Sequence, residues 1–141
     1  MIKEVRFYES VEDSLLKFAV IVARSGGKWV FCKHRERTTL EIPGGHREPG
    51  ETVNETAVRE LREETGAKEF TLQPVCVYSV VRDDADESFG GLYAAEISSF
   101  EEIHSEIEKI VLLDEPPKAN WTYPEIQPEL LREANRRNIF R

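Results

Sequence analysis

The amino-acid sequence predicts an α/β protein in which a mixed β-sheet is packed between helices. Short apolar segments of strand length alternate along the chain with two amphipathic segments of helical period. Residues 17–23 form a nearly continuous apolar run, typical of a strand that is covered on both faces. The chain has 141 residues, 40% hydrophobic and 33% charged, which is enough for a single domain with a real core. We therefore expect one domain over residues 1–141, with an α/β/α layer arrangement.

The first third of the sequence predicts strands and tight connections. Residues 2–8 alternate loosely between polar and apolar side chains and are expected to form an edge strand. The apolar run 17–23 is followed by a turn at 25–27, where two glycines favour a hairpin, and the chain returns as a strand at 28–32. Residues 40–43 are predicted to be a short extended piece, because the residue before a proline avoids the helical region.

The middle of the sequence predicts a helix that starts near Thr52 and stops at Gly66. Apolar side chains at helical spacing give it a buried stripe, and a glycine is a common residue after the last turn. The stripe comprises Val53, Ala57 and Leu61, with Val58 and Ala67 beside it. Further strands are expected at 70–81, 92–97 and 107–113, with an acidic turn at 83–87, a proline-rich connection at 114–124 and a closing helix at 126–138.

Composition excludes several functional classes. The net charge of −8 argues against binding to duplex nucleic acid, which requires a basic face. No apolar run reaches the length of a transmembrane helix, and the first residues lack the apolar core of a secretory signal. Cys32 and Cys76 lie inside apolar strands rather than at the spacing of metal ligands. We expect buried free thiols and a cytoplasmic protein that does not bind membranes.

Three glutamates on one helical turn indicate a metal site. Glu60, Glu63 and Glu64 stand at i, i+3 and i+4, so that their side chains share one face of the predicted helix. Adjacent carboxylates repel one another unless a cation lies between them. Oxygen ligands of this kind suit Mg²⁺ or Mn²⁺, which commonly link carboxylates to the phosphates of a substrate. The cluster therefore predicts a divalent-metal site for phosphate chemistry.

The spacing around these glutamates resembles the signature of a known family. Gly45 is followed after five residues by Glu51, and after seven more by the run RELREETGA at 59–67. This arrangement resembles the Nudix box, G-x5-E-x7-R-E-U-x-E-E-x-G-U with U aliphatic, and it agrees at every fixed position. Ala67 is smaller than the usual aliphatic residue. The resemblance implies a Nudix hydrolase with an α/β/α sandwich fold, which cleaves a nucleoside diphosphate linked to another group X with Mg²⁺ or Mn²⁺.

The resemblance also implies roles for individual residues. Glu60, Glu63 and Glu64 match the metal-binding carboxylates, and Gly45 matches a glycine whose carbonyl often completes the coordination shell. Arg59 matches the arginine that pairs with the glutamate at Glu51 and orients the ligands. The general base is expected to be Glu60 or Glu64, and the sequence does not separate them. For a further carboxylate ligand, we expect Glu96, with the 83–87 turn as the alternative.

The substrate is predicted from weaker similarities. Residues 116–120 (PPKAN) are similar to the Pro-Pro-Ala-Asn of MutT-like enzymes, although Lys118 is an insertion. That similarity implies that Asn120 reads the edge of an oxidised purine. Lys33, Arg35 and Arg37 are candidates for a phosphate clamp, and His46 is a candidate for contact with a substrate phosphate. The first hypothesis is therefore hydrolysis of a nucleoside triphosphate, normal or oxidised, to its monophosphate and pyrophosphate.

Other functions remain open at this stage. A different nucleotide conjugate, such as ADP-ribose or a dinucleoside polyphosphate, would use the same metal site. A nucleotide sensor that binds without cleavage is a second alternative, although sensors of this family typically lose box glutamates. Isomerisation of isoprenoid diphosphates is a third, and no cysteine is obviously placed for it. A homodimer is possible, but no segment of the sequence indicates the interface.

Overall fold

The computed structural model describes residues 2–140, and within that range the chain forms seven strands and two helices. The strands are β1 Ile2–Tyr8, β2 Leu16–Ser25, β3 Lys28–His34, β4 Gly44–His46, β5 Ala67–Arg82, β6 Glu87–Phe100 and β7 Ile107–Leu113; the helices are α1 Val53–Thr65 and α2 Gln127–Arg136. A short 3₁₀ turn, Asp13–Leu15, precedes β2. The strands form one sheet in the order β1-β5-β6-β2-β3-β7, and β4 pairs with β2. The predicted strand at 2–8 is thus confirmed as an edge strand.

The sheet is mixed, because the central strand β2 has one parallel neighbour and two antiparallel neighbours. β2 runs parallel to β6, with Val20 opposite Leu92, and antiparallel to β3, with Ala23 opposite Val30. The first half of β2 instead pairs antiparallel with β4. The prediction of a mixed sheet is confirmed. The loop that carries the start of the Nudix-like motif is therefore fixed directly to the middle of the sheet.

Each face of the sheet is covered by one helix. Alternate residues of β2 point to opposite faces, so Val20 and Val22 lie in one core cluster while Ala19, Ile21 and Ala23 lie in the other. The second cluster includes Ala57 and Leu61 of α1, and the first includes Leu130, Leu131 and Ala134 of α2. The predicted α/β/α arrangement is confirmed, and the continuous apolar run of β2 reflects burial on both faces.

The ends of α1 are encoded locally. Thr52 accepts a hydrogen bond from the backbone N–H of Glu55, and the Glu55 carboxylate accepts one from the backbone N–H of Thr52, which completes a capping box. Gly66 ends the helix with a φ of 75°, in the left-handed region that glycine adopts without a steric penalty. Both predicted ends are confirmed, and the helix is held in a defined register against β2.

Some boundaries differ from the predictions. β6 begins at Glu87 rather than at residue 92, because Gly90 and Gly91 lie within the strand and not in a turn. The Phe18 ring lies directly against Gly90, where a Cβ would overlap it, so the glycine makes room for a core aromatic. β5 begins at Ala67 rather than at residue 70, and α2 covers ten residues instead of residues 126–138. Cys32 and Cys76 are buried free thiols, as predicted. Among residues 2–140, no helix is long and apolar enough to span a membrane.

Candidate active site

A cleft of about 450 Å³ opens between the loop that leads into β4, the end of β5, the start of β6 and the start of α2. Apolar and ionisable side chains both line it. The apolar lining includes Phe18, Val20, Ile42, Tyr78, Val80 and Ile126, and the ionisable lining includes His34, Arg37, Glu41, His46, Glu64, Arg82 and Glu106. Such a combination, an apolar lining with a few convergent polar groups, is typical of a small-molecule site.

Glu64 is the most deeply buried carboxylate of this cleft. Only 7% of the residue is exposed, and its Oε1 accepts a hydrogen bond of 2.8 Å from the backbone N–H of Gly44. Burial first, and then the negative charges of Glu60, Glu41 and Glu106, raise the pKa of Glu64 to about 8, against the lowering effect of the hydrogen bond from Gly44. Without a cation, this carboxyl group therefore holds a proton at neutral pH.

Glu60 lies one helical turn before Glu64 and faces the Gly44–His46 strand. Its side chain is 12% exposed, and burial raises its pKa to about 7, although Arg59 opposes the shift. The Glu60 carboxylate lies directly against Gly45, at a position where a Cβ on residue 45 would overlap it. A buried and a partly buried carboxyl group, both with raised pKa values, thus stand next to a glycine backbone.

Arg59 and Glu51 form a brace between the loop and the helix. Arg59 Nε donates to Glu51 Oε2 at 2.6 Å, and Arg59 Nη2 donates to Glu51 Oε1 at 3.1 Å and to the backbone oxygen of His46 at 3.0 Å. The pKa of Glu51 falls to about 2 because of Arg59 first, and because the Glu48 N–H and the Thr56 hydroxyl also donate to it. The pair predicted from the resemblance is therefore in contact, and it fixes the loop to α1.

Glu63 does not join the other two glutamates in this arrangement. Its side chain is 52% exposed, and its Oε2 lies 3.5 Å from Arg59 Nη1. Accordingly, no three His, Cys, Asp or Glu side chains within residues 2–140 converge closely enough to hold a metal ion. The donor chemistry nevertheless fits one, because the shifts at Glu60 and Glu64 are those of buried oxygen ligands that need a compensating cation.

Two further carboxylates of the cleft were missed by the sequence reasoning. Glu106 lines the cleft, and its charge contributes to the raised pKa values of both Glu60 and Glu64. Glu41 is 8% exposed and forms an ion pair of 2.8 Å with Arg37. Glu41 could have been noticed from its place just before the Ile42-Pro43-Gly44 segment. No local signal marks Glu106, because it reaches the cleft only through the pairing of β7 with β3.

The structure does not bring Glu96 to the glutamate cluster. Glu96 is exposed on β6, opposite Arg24 of β2, and lines a separate groove with Ile139 and Phe140. Its neighbours Ala95 and Ile97 point to the α1 face, so the strand alternation turns Glu96 to the other face. Of the alternative at 83–87, Glu87 is the first residue of β6, and its Oε2 accepts hydrogen bonds of 2.6 Å from the hydroxyl groups of Tyr8 and Ser79. The expectation that Glu96 completes the cluster is not met, and none of residues 83–87 lines the cleft.

The predicted phosphate contacts are divided between cleft and surface. Arg37 and His46 line the cleft, and the Arg37 guanidinium also lies 5.9 Å from the centre of the Tyr123 ring. Arg35 is exposed outside the lining. Lys33 is paired with Glu108 at 2.8 Å, also outside the lining. A cation that the sequence reasoning did not select, Arg82, lines the cleft at the end of β5.

Asn120 lies outside the cleft. It is exposed in a separate groove formed by residues 116–121 and α2, and its backbone has a φ of 67°. Its carbonyl oxygen accepts the N–H of Leu40, so the residue fixes the 114–124 connection to the extended segment before β4. The neighbouring Trp121 packs edge-on against Phe31 and donates its Nε1–H to Pro117. The PPKAN segment therefore does not present Asn120 to the cleft in this structure.

Comparison with known proteins identifies the family. The profile of the NUDIX domain matches residues 14–133, which include the cleft, the glutamates and the Arg59–Glu51 brace. The chain belongs to the Nudix family. The family predicted from the spacing of the box is thus confirmed over most of the chain.

Two relatives from Bacillus subtilis share the Nudix sequence in part. The chain is 42% identical over 65 residues to YtkD, described as a candidate 8-oxo-dGTP diphosphatase; the match covers 46% of this chain and 40% of the relative. It is 39% identical over 88 residues to an ADP-ribose pyrophosphatase, a match that covers 60% of this chain and 48% of the relative. The chain thus spans about half the length of these relatives, or less.

Solved structures confirm the Nudix fold. A mutant form of the B. subtilis pyrophosphohydrolase BsRppH superposes with a TM-score of 0.79 at 24% identity and covers 98% of both chains. An Ap4A hydrolase from Caenorhabditis elegans superposes with a TM-score of 0.65 at 17% identity, over 88% of this chain and 100% of the other. At these identities, the likeness establishes the shared architecture.

Proposed function

We propose that this Nudix protein is a metal-dependent pyrophosphohydrolase that cleaves a nucleoside diphosphate linked to X, with a nucleoside triphosphate as the preferred substrate. The observation that carries the proposal is the environment of Glu64, a carboxyl group that is 7% exposed, with a pKa of about 8, at the edge of an apolar cleft. A carboxyl group shifted in this way and set in a cleft is a candidate functional group rather than a structural one.

The residues that would hold the metal follow from the donor set. Glu64 supplies a buried carboxylate and Glu60 a partly buried one, and the backbone carbonyl of Gly45 is a third candidate donor. Glu63 joins them only when it leaves Arg59, to which it is bonded at 3.5 Å. Glu106 provides a further carboxylate at the cleft. A bound Mg²⁺ or Mn²⁺ would neutralise phosphate oxygens and lower the pKa of the attacking water.

Three further groups of side chains would act in the reaction: a general base, the Arg59–Glu51 brace and two arginines that bind phosphate. The base that accepts the water proton is Glu60 or Glu64, and both have pKa values near the working range. Water attacks phosphorus, the anhydride P–O bond breaks, and the leaving phosphate or pyrophosphate departs with the electron pair. The Arg59–Glu51 brace keeps the loop and α1 in register during this step. Arg37 and Arg82 in the lining are placed to bind polyphosphate oxygens.

The substrate class is supported by the cleft and by the relatives. Phe18, Val20 and Tyr78 form an apolar lining that suits the faces of a nucleobase. The match to a candidate 8-oxo-dGTP diphosphatase favours a triphosphate substrate, normal or oxidised. The longer match to an ADP-ribose pyrophosphatase supports ADP-ribose as the second candidate.

The test is a release assay for phosphate and pyrophosphate with purified protein and Mg²⁺. The panel contains normal and oxidised dNTPs, ADP-ribose, dinucleoside polyphosphates and NADH. We expect pyrophosphate from a triphosphate, loss of turnover with EDTA, and recovery with Mg²⁺ or Mn²⁺. Glu64→Gln should abolish turnover with the fold intact, whereas Glu129→Gln, on the exposed side of α2, should not.

The possible outcomes separate the alternatives. Hydrolysis of ADP-ribose but not of triphosphates would make ADP-ribose the proposed substrate, and the proposed metal site would stand. Full activity in Glu64→Gln would contradict the proposed chemistry. Nucleotide binding without turnover of any compound would instead support the sensor function.

A further inference from the structure

Gln127, the first residue of α2, is oriented by the backbone of the Nudix loop. The residue lines the cleft and is only 6% exposed. Its Oε1 accepts a hydrogen bond of 2.9 Å from the backbone N–H of Ile42. Because that partner is a donor, the amide oxygen must face it, and the orientation of the side-chain amide is defined.

The amide nitrogen of Gln127 is consequently the group left for the cleft. No protein acceptor is bonded to this nitrogen within residues 2–140. In the same range, Arg24 Nε is the only fully buried side-chain nitrogen or oxygen that lacks a hydrogen-bond partner, so the unbonded Gln127 nitrogen is not fully buried. The Gln127 nitrogen is therefore not sealed inside the protein, and it remains accessible to a molecule in the cleft that Gln127 lines.

We infer that Gln127 is a specificity-determining residue, which favours nucleobases that present a carbonyl oxygen at their edge over those that present an amino group. The inference rests on the proposed function, since it requires a nucleotide in the cleft. A guanine-type base offers O6 and a uracil-type base offers O4 as acceptors for the Gln127 N–H. An adenine or cytosine edge would place an amino donor against it and leave both donors unpaired.

The surroundings of Gln127 suit a base better than a phosphate. The amide carries no charge, and Ile42 and Ile126 beside it are apolar. Phosphates are bound preferentially by guanidinium groups, and the cleft supplies those at Arg37 and Arg82. A neutral donor next to apolar side chains matches an aromatic ring with one polar edge.

Gln127→Glu is the decisive variant. It keeps an oxygen for the Ile42 N–H and, when ionised, replaces the donor that faces the cleft with an acceptor. Binding to this variant is therefore measured above pH 8, because burial raises the pKa of a carboxyl group in this cleft. Gln73→Glu is the matched control, because the same exchange then falls on an exposed residue of β5 that lines a different groove. Gln127→Met removes the donor without adding charge, although it also removes the acceptor of the Ile42 N–H, and it keeps the inference testable if Gln127→Glu fails to fold.

Binding is measured by isothermal titration calorimetry without metal, using GMP, AMP, UMP, CMP and inorganic pyrophosphate. We expect the Kd of the wild-type protein to be about tenfold lower for GMP than for AMP, and for UMP than for CMP. A difference of this size is expected when the preferred base accepts one hydrogen bond and the other base places an amino donor against the Gln127 N–H. Gln127→Glu should remove or invert both preferences, Gln127→Met should remove them, and Gln73→Glu should retain them. Pyrophosphate binding should be the same in Gln127→Met as in the wild type.

The inference and the proposed function fail differently. Equal binding of all four monophosphates by the wild type, or preferences that persist in both Gln127 variants, would overturn the role of Gln127 while hydrolysis stands. A parallel loss of all ligands in Gln127→Met, pyrophosphate included, would assign the residue to phosphate binding and also overturn the inference. If the protein bound none of the four monophosphates, the inference on Gln127 would also be contradicted. The release assay tests the hydrolase proposal independently of that result.

Discussion

Gly45 and Glu60 occupy adjoining space so closely that a single added methyl group on residue 45 would overlap the carboxylate. The contact joins the β4 strand to the middle of α1, and it explains physically why the motif needs glycine at this position. The reason is close approach and not backbone conformation, since Gly45 is not among the residues with positive φ.

Gly45→Ala should weaken metal binding with little effect on stability. The overlapping atoms belong to the far end of a flexible side chain, so Glu60 can move aside, but it then leaves its place next to Glu64. We expect the Kd for Mn²⁺ to rise by about tenfold or more, measured by calorimetry. Gly26→Ala is the control: it has open space but a φ of 58°, so it should lose about 1 kcal/mol of stability and retain metal affinity. Unchanged Mn²⁺ affinity in Gly45→Ala would remove Glu60 from the ligands.

The stability of the metal-free protein should fall as pH rises from about 5 to 8. In the unfolded chain Glu64 ionises near its ordinary pKa of 4.5, whereas in the folded protein it keeps its proton up to about 8. The folded state therefore binds more protons in this window, and the free energy of unfolding decreases with pH, by at most about 1.4 kcal/mol per pH unit for this group.

Urea unfolding at several pH values measures this slope. Glu64→Gln should make it shallower and leave the part that Glu60 contributes below about pH 7, whereas Glu129→Gln should not change it, because the Glu129 side chain is exposed on α2. Saturating Mg²⁺ should offset the decline, since a cation favours the ionised carboxylates. Parallel slopes in the wild type and Glu64→Gln would show that the Glu64 carboxyl group is not protonated in the folded state.

Arg59→Lys should disconnect the loop from α1 although it retains the positive charge. The guanidinium bonds both oxygens of Glu51 and the carbonyl of His46, a geometry that an ammonium group does not reproduce. We expect a loss of about 1–3 kcal/mol in urea unfolding and a lower kcat. Arg132→Lys, in an exposed ion pair with Glu129, should change stability by less than about 0.5 kcal/mol. Equal effects of the two changes would show that charge alone matters at Arg59.

Asn120 should affect folding more than base discrimination. Its φ of 67° suits asparagine or glycine better than alanine, and its side chain lies outside the cleft. Asn120→Ala should therefore lose about 1 kcal/mol of stability, and Asn120→Gly should lose less. The ratio of kcat/KM values between oxidised and normal dGTP should be unchanged in both. A selective fall in kcat/KM for the oxidised nucleotide would show that Asn120 contacts the substrate.

Local sequence patterns predicted most of the fold. The α1 helix was placed correctly because its cap, its apolar stripe and Gly66 all lie within residues 52–66. The first five residues of β6 were not predicted, because Gly90 and Gly91 normally weaken strands. Only the Phe18 ring, more than seventy residues earlier in the chain, shows why glycine stands there.

The candidate site was predictable where it is local and unpredictable where it depends on strand pairing. The Arg59–Glu51 contact joins residues eight positions apart, and the resemblance to the Nudix box implied it. Glu106, just before β7, and Arg82, at the end of β5, reach the cleft through the register of the sheet, which no local pattern reveals. For the same reason, Glu96 could not be excluded in advance: the parallel pairing with Arg24 determines where that end of β6 lies.

The parallel pairing of β2 with β6 has a consequence for synthesis on the ribosome. Val20 of β2 faces Leu92 of β6, so the centre of the sheet closes only after roughly two thirds of the chain has been translated. Until then, a nascent chain that already contains the whole Nudix box leaves one edge of its most apolar strand unpaired. The glutamates are thus made early, but the scaffold that buries them is completed late, and the nascent chain is most exposed to aggregation in that interval.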